Sequence, residues 1–363
     1  MRIVRAQLFH YTLPFAHPVA LLGKSVTTRK GYVLSLTDDY GEAGWGEYAP
    51  LAEQDDLEGC FSLKEYCQSV TNEPGLWIGD IWPHGHLWEK KSWQLLSVSA
   101  LMAVESAVLS LSARRRNAPL ASLISAKHAS YVEINSLIES TDRLEARVAE
   151  IIDEGVRTVK LKVGRQSVSK DIDLVNRVRR ILPAPVKLRL DANRHWFMDE
   201  AVAFAKGIAQ AEIEYIEEPL VESTRLEELS KKVPCLPLAV DESVRQMSFE
   251  QVADAKHLKA VVLKPTAIGG IRRTICLVEA CQDSGKIAVI SSSIESSIGL
   301  SVLAHLSAAL TPGTASGLDT SRLFARDLIS PGFPIGKSRV PLQELYPSKG
   351  IIDRSLLEEV KFE

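Results

Sequence analysis

Five short apolar runs between Thr158 and Lys264 each end in a lysine or a carboxylate. They are Thr158–Val163, carrying Lys160 and Lys162; Val186–Asp191; Ile213–Glu217; Leu238–Asp241; and Ala260–Lys264. From Lys162 the steps are 29 residues to Asp191, 26 to Glu217, 24 to Asp241 and 23 to Lys264. A sixth run, Ile287–Ile290, ends in Ser291-Ser292-Ser293. Asp191, Glu217 and Asp241 supply hard oxygen donors with no histidine or cysteine among them. That set suits Mg²⁺, or Mn²⁺, better than zinc. Lys160 and Lys162 are two apart and share one face of a strand. A lysine buried beside another ammonium and a divalent cation loses basicity. Lys162 then reads as a general base, with Lys160 tuning it and reaching a substrate carboxylate. Lys264 stands on the opposite wall. A metal-bound carboxylate between two lysines is a place to remove the proton α to that carboxylate.

The elements that must position these groups follow from the interval. A strand, a helix and two turns take on the order of 30 residues, and parallel strands need such a crossover. Right-handed crossovers repeated this often close a parallel sheet into a barrel whose C-terminal strand ends carry the chemistry. Residues 132–136 are expected as the first barrel strand. Helices are expected at 142–154, 169–182, 199–211, 224–232, 247–255, 270–284 and 299–310, with Gly317–Asp319 as a short eighth strand. Glu218 neighbours Glu217 and must face the other way. Glu217 is therefore taken as the ligand and Glu218 as its outer support.

Upstream, residues 2–12, 32–36 and 42–47 read as an antiparallel meander, with a loop at 17–29 punctuated by Pro18 and Gly23. Gly44 and Gly46 mark a place where the backbone bends or meets a neighbour closely. Helices are expected at 57–71 and 93–113, with an irregular stretch at 72–93. Arg114-Arg115-Arg116 reads as a helix C-terminus favoured by its dipole rather than as a nucleic-acid patch. Residues 320–363 are expected to fold back on the N-terminal part.

The chain has 363 residues, 25% charged, with a net charge of −3. That length suits a barrel plus an accessory domain, and the charge gives no reason to expect nucleic acid as a partner. The five cysteines are scattered without a Cys-x-x-Cys, as expected for free thiols in a reducing compartment. No signal peptide is visible at the N-terminus, and the longest apolar stretch, 98–111, is too short and polar to span a bilayer. The expectation is a cytoplasmic protein that does not engage membranes and acts on a small-molecule carboxylate. A homo-oligomer is compatible with it.

The pair Lys160/Lys162, Leu190-Asp191-Ala192-Asn193, Glu217-Glu218-Pro219, Asp241-Glu242-Ser243 and Leu263-Lys264-Pro265-Thr266 together resemble the enolase superfamily, in the order of its muconate-cycloisomerase-like subgroup. The base-plus-magnesium logic of that superfamily is general knowledge. The resemblance implies an α/β fold, a modified TIM barrel (β/α)7β over 126–319, with an α+β capping domain over 1–125 completed by 320–363. Within the subgroup, residues 189–194, 290–300 and 317–320 are similar to signatures of the o-succinylbenzoate synthase family. That similarity implies a magnesium-dependent dehydration of a cyclohexadiene carboxylate in menaquinone biosynthesis. It implies Lys162 as the base that later protonates the departing hydroxyl and Lys264 as a cation over the ring's other face. It also implies that Asn193, Ser291, Ser293 and Gly317 position the substrate. By position, 17–29 and Trp45–Tyr48 match loops that close over the barrel mouth. Two rivals are an N-acylamino-acid racemase or dipeptide epimerase of the same subgroup, and a non-catalytic protein on the same fold. The dipeptide epimerase carries Asp-x-Asp on the eighth strand, where this chain has Gly317-Leu318-Asp319.

Overall fold

The structure is a computed structural model and describes residues 2–21, 23–51, 53–72, 76–77, 96–138 and 143–361. A long hairpin opens the chain, β1 (Arg2–Leu21) and β2 (Lys24–Asp38), followed by β3 (Ala43–Tyr48). The expected loop at 17–29 is thus the far end of this hairpin. Val19↔Val26 and Leu21↔Lys24 remain paired beyond a register shift between Pro14 and Val19. Prolines fit there because they lie at an irregularity of the ladder, where a missing N–H costs little. Helix α1 (Glu53–Asn72) runs longer than expected, and α2 spans Val98–Arg116. Most of the stretch expected to be irregular, and the start of the expected second helix, lie outside the described residues; Leu76–Trp77 pairs with β1.

Helix α2 is nearly all buried because it lies between two bodies. Ser97 caps it by accepting the Ala100 N–H, and Asn117 ends it in the left-handed region. One side packs on β3, where a Cβ at Gly46 would collide with the Ala103 carbonyl. Close approach is the reason for glycine there. Arg115 pairs with Asp38 at 3.3 Å and Arg114 with Glu42 at 3.4 Å, so two of the three arginines answer to acids of the meander.

The second body is a parallel sheet of seven strands: β4 (Ser136–Ile138), β5 (Thr158–Lys162), β6 (Lys187–Asp191), β7 (Tyr215–Glu217), β8 (Leu238–Val240), β9 (Leu258–Leu263) and β10 (Ile287–Ile290). Helices α3 (Leu144–Asp153), α4 (Val168–Ile181), α5 (Met198–Gly207), α6 (Leu226–Lys232), α7 (Phe249–Asp254), α8 (Gly270–Asp283) and α9 (Ser297–Leu310) alternate with them. The single bridges Ser291↔Gly317 and Ile134↔Ser316 join the outermost strands, so the eighth position is two residues of backbone rather than a strand at 317–319. The expected first strand is divided. Tyr131–Glu133 pairs with Arg339–Pro341 of the C-terminal segment, and only Ser136–Ile138 enters the barrel. The C-terminal segment also pairs Leu357–Glu359 with β1 and stacks Phe324 on Phe15 with centroids 5.2 Å apart. It therefore binds both bodies rather than the N-terminal one alone.

The main core lies between the strands' outer faces and the helices. Inside the barrel a smaller cluster, Tyr215, Ala239, Ala260, Val262 and Val289, fills the middle. Fully buried Arg189 bonds Glu214 at 2.6 Å and the Ala315 carbonyl at 2.7 Å beside that cluster. A buried charge persists only when paired in this way. Among the described residues no helix is long and apolar enough to cross a membrane, and all five cysteines are free thiols.

Candidate active site

The parallel register sets the site. Lys162, Asp191 and Glu217 are Cα partners across β5, β6 and β7. Asp241 follows β8 directly and Lys264 follows β9. The three carboxylates are 4%, 1% and 5% exposed, which isolates them from bulk water. The Lys160 ammonium donates to Asp191 at 2.8 Å and Glu217 at 2.6 Å, and Lys264 donates to Asp241 at 2.5 Å. Glu217, not Glu218, is the member of its pair that faces the barrel lysine, as the alternation of a strand requires.

Electrostatics tie the acids together. Burial pushes Glu217 up; Lys160 opposes this, and repulsion from Asp191 and Asp241 adds to it, leaving Glu217 at about 7. Burial also works against an ionised Asp191, but Lys160 outweighs it and holds that carboxyl below its usual range. For Lys160, burial alone would lower basicity, yet Asp191, Glu217 and Asp241 raise it well above the ordinary lysine range. Lys264 is raised too, against burial, chiefly by Asp241. Lys160 therefore stays strongly basic: acids at contact distance dominate over desolvation.

Among the described residues no three acidic, histidine or cysteine side chains already meet as a ready-made metal cage. The two lysines engage the acids instead. The donor set nonetheless fits a hard divalent cation. It consists of three buried carboxylates from neighbouring strands, close enough to repel one another, and such a cluster needs positive charge. Glu218 supports this set from behind. It accepts the Asp241 N–H at 2.9 Å and the Ser243 N–H at 2.8 Å, and is bonded by Arg194 at 3.1 Å. Glu218, just beyond β7, and Asn193 and Arg194, in the turn beyond β6, all have positive φ, 43°, 44° and 58°. The Asn193 N–H there donates to Asp191 at 3.1 Å.

A cavity of about 510 Å³ opens above these strand ends. Lys160, Lys162, Asp191 and Lys264 line it, and so do Asn193, Ser291, Ser293 and Gly317. Each residue put forward as catalytic, metal-ligating or substrate-positioning therefore lies on its wall or, for Glu217 and Asp241, contacts a lining lysine, whereas Trp45–Tyr48, expected over the mouth, is part of the buried strand β3 away from that wall. The Ser293 hydroxyl is buried with no protein partner, which is the condition of a group kept for a ligand. Sequence reasoning missed Asn135, Leu137, Arg165 and Thr320 on the wall. Thr320 closes the 317–320 signature without having been assigned a role, whereas Asn135 and Leu137 at the start of β4 and Arg165 just beyond β5 stand outside every motif. The hairpin tip, Val19–Leu21 and Gly23, and Leu51 close the cavity from the N-terminal body. A larger groove of about 1070 Å³ between α6 and α7 includes neither site lysine nor metal-type acid, so its size does not make it the reaction centre.

Comparisons with known proteins agree with this geometry. Residues 143–346 match the family model described as enolase C-terminal domain-like, and residues 3–69 match that of the MenC N-terminal domain. The o-succinylbenzoate synthase of Yersinia pseudotuberculosis is 34% identical over 333 residues, covering 90% of this chain and 93% of that one. The enzyme of the same name from Pectobacterium atrosepticum is 33% identical over 327 residues, covering 89% and 92%. In three dimensions the N-succinyl Arg/Lys racemase of Bacillus cereus superposes with a TM-score of 0.81 at 20% identity, covering 99% of this chain and 100% of that one. The L-Ala-D/L-Glu epimerase of Bacillus subtilis gives 0.76 at 22%, covering 99% and 100%. At such identities the structural likeness speaks to the fold alone.

Proposed function

We propose, for a chain that belongs to the enolase superfamily and within it to the o-succinylbenzoate synthase family, that its barrel-mouth cavity dehydrates 2-succinyl-6-hydroxy-2,4-cyclohexadiene-1-carboxylate to 2-succinylbenzoate. The chain is an enzyme of that superfamily, and the reaction would serve menaquinone biosynthesis, as in the family. One observation carries the chemistry: Lys162 and Lys264 line one cavity, with Lys160 beside Lys162 on β5 and three buried carboxylates at the ends of the strands between them.

In this reading Lys162 takes the proton from C1, α to the substrate carboxylate. The electron pair left on C1 delocalises, the C6–O bond breaks and a C1–C6 double bond forms. The ammonium just made on Lys162 returns its proton to the departing hydroxyl, so water leaves, the lysine is restored and the ring becomes aromatic. Lys264 keeps its charge, as its contact with Asp241 favours, and sits where it can face the anionic ring. Asp191, Glu217 and Asp241 would hold Mg²⁺, which when bound supplies positive charge to the substrate carboxylate. Asn193, Ser291, Ser293 and Gly317 would orient the succinyl and carboxylate groups, with the unpartnered Ser293 hydroxyl the best placed to donate.

The epimerase reading finds less support. Gly317 stands where the first acid of that motif would be. The remaining acid, Asp319, is already bound by Arg322 at 2.7 Å. A carboxylate committed to a guanidinium is a poor receptor for a substrate ammonium. The test is direct: purified protein with Mg²⁺ is given the cyclohexadiene carboxylate, and the aromatic product is followed by absorbance. Proton–deuteron exchange on N-acyl amino acids is measured in parallel. Turnover of the amino acids exceeding the dehydration would reject the proposal.

A further inference from the structure

The guanidinium of Arg29, on β2, is buried and bonds main-chain carbonyls from segments far apart in sequence. It donates to Ala49 at 2.5 Å and Pro50 at 2.6 Å, to Ile294 at 3.0 Å, Ser293 at 3.3 Å and its neighbour Lys30 at 3.4 Å. Each of these places borders the cavity. The hairpin that carries Arg29 ends in the lining residues Val19–Leu21 and Gly23, Leu51 follows Pro50, and Ser293 and Ile294 are themselves on the wall. Ile294 has φ of 63°, a left-handed conformation that a β-branched residue rarely adopts and that persists only when its surroundings impose it. Next to it is the Ser293 hydroxyl, buried without a protein partner. The far end of the same loop is also held from the N-terminal body. Glu47 accepts the Ser296 N–H at 2.9 Å, the Ser296 hydroxyl at 2.6 Å and the Gly299 N–H at 2.9 Å.

We propose that Arg29 is a positioning residue: by gripping the Ser293 and Ile294 carbonyls it holds the strained 291–294 wall in place, aims the Ser293 hydroxyl into the cavity and fastens the hairpin tip over it. The guanidinium suits this work because its planar fork can serve several carbonyls at once, which a lysine ammonium cannot do in the same geometry. The proposal rests on the dehydratase reading only for its kinetic readout, so the test has two arms.

The first arm is amide hydrogen exchange on the full-length wild type and on Arg29→Met. Faster exchange confined to 291–299 and 49–51, with β5–β9 unchanged, is the expected result. Unchanged exchange in those segments, or loosening spread through the barrel, overturns the proposal. The second arm is kinetics on the cyclohexadiene carboxylate. Arg29→Met should raise KM about ten-fold or more while kcat falls less than about three-fold, and Arg29→Lys should recover only part of the KM. Because glycine accepts the left-handed backbone, Ile294→Gly should shrink the KM effect of Arg29→Met in the double variant. Strictly additive effects, or kcat and KM changing in step with lost folded protein, overturn it. A wild type inert toward this substrate would refute the dehydratase reading and leave the exchange arm to decide the role of Arg29.

Discussion

The Lys160 ammonium lies 2.6 Å from the Glu217 carboxylate, buried between β5 and β7. The same nitrogen reaches Asp191 at 2.8 Å, so one lysine compensates two of the three acids. Removing it leaves buried charges unpaired, which typically costs about 3–5 kcal/mol. Lys160→Met is therefore expected to lower stability by that order in metal-free buffer. Added Mg²⁺ should recover much of the loss, because a cation held by the same acids replaces the missing charge. Denaturant unfolding with and without Mg²⁺ checks this; a loss that Mg²⁺ leaves untouched would contradict it.

Lys162 carries the proton transfers in the proposed reaction. Lys162→Ala should cut kcat at least about 10²–10⁴-fold, the usual worth of a positioned acid–base group. Circular dichroism and Mg²⁺ binding should stay as in the wild type. Retained turnover would remove Lys162 from its role.

Glu218 should matter through Asp241. Its carboxylate fixes the Asp241 and Ser243 N–H groups, and losing such outer support commonly costs 10–100-fold, roughly, in metal affinity. Glu218→Ala should weaken Mg²⁺ binding by that order, read by calorimetric titration. At saturating Mg²⁺ most of kcat should return. An unchanged Mg²⁺ affinity would show that Asp241 is held by other means.

Glu105, on α2, accepts the Ile271 and Arg272 N–H groups at the start of α8 and so joins the two bodies. Burial pushes its carboxyl up to about 8, against those hydrogen bonds. The folded state then binds a proton that the unfolded chain, near 4.5, has released. That contribution is complete below about pH 4.5 and is lost as pH rises toward 8. Wild type should therefore lose stability relative to Glu105→Gln between pH 5 and 8, by the order of a few kcal/mol at most. Paired denaturant titrations at both pH values measure it; parallel pH profiles of the two proteins would disprove the assignment.

The barrel and the reactive set were legible along the chain because both are written at short range. A βα unit has a fixed covalent length, so Lys162, Asp191, Glu217, Asp241 and Lys264 recur at nearly even steps. Strand alternation alone separates Glu217 from Glu218 and puts Lys160 on the face of Lys162. The length of the first hairpin was not legible, since Pro14 and Pro18 signal a break. Only pairing with β2 and the C-terminal segment shows that the ladder runs on past them. The division of the first barrel strand was hidden likewise, because Tyr131–Glu133 takes its partner from Arg339–Pro341.

What the amino-acid order determined by itself is the period of the barrel and the kind of chemistry at its mouth. Tertiary structure alone decided which charges meet and what encloses them. Lys160 stays strongly basic because two acids from other strands touch it. Arg29 and Glu47 reach a loop about 250 residues away, at 293–299. Local pattern records the direction a side chain takes from its own strand, but contact energies fall off within a few ångströms. Partners brought together by folding therefore leave no mark in the spacing.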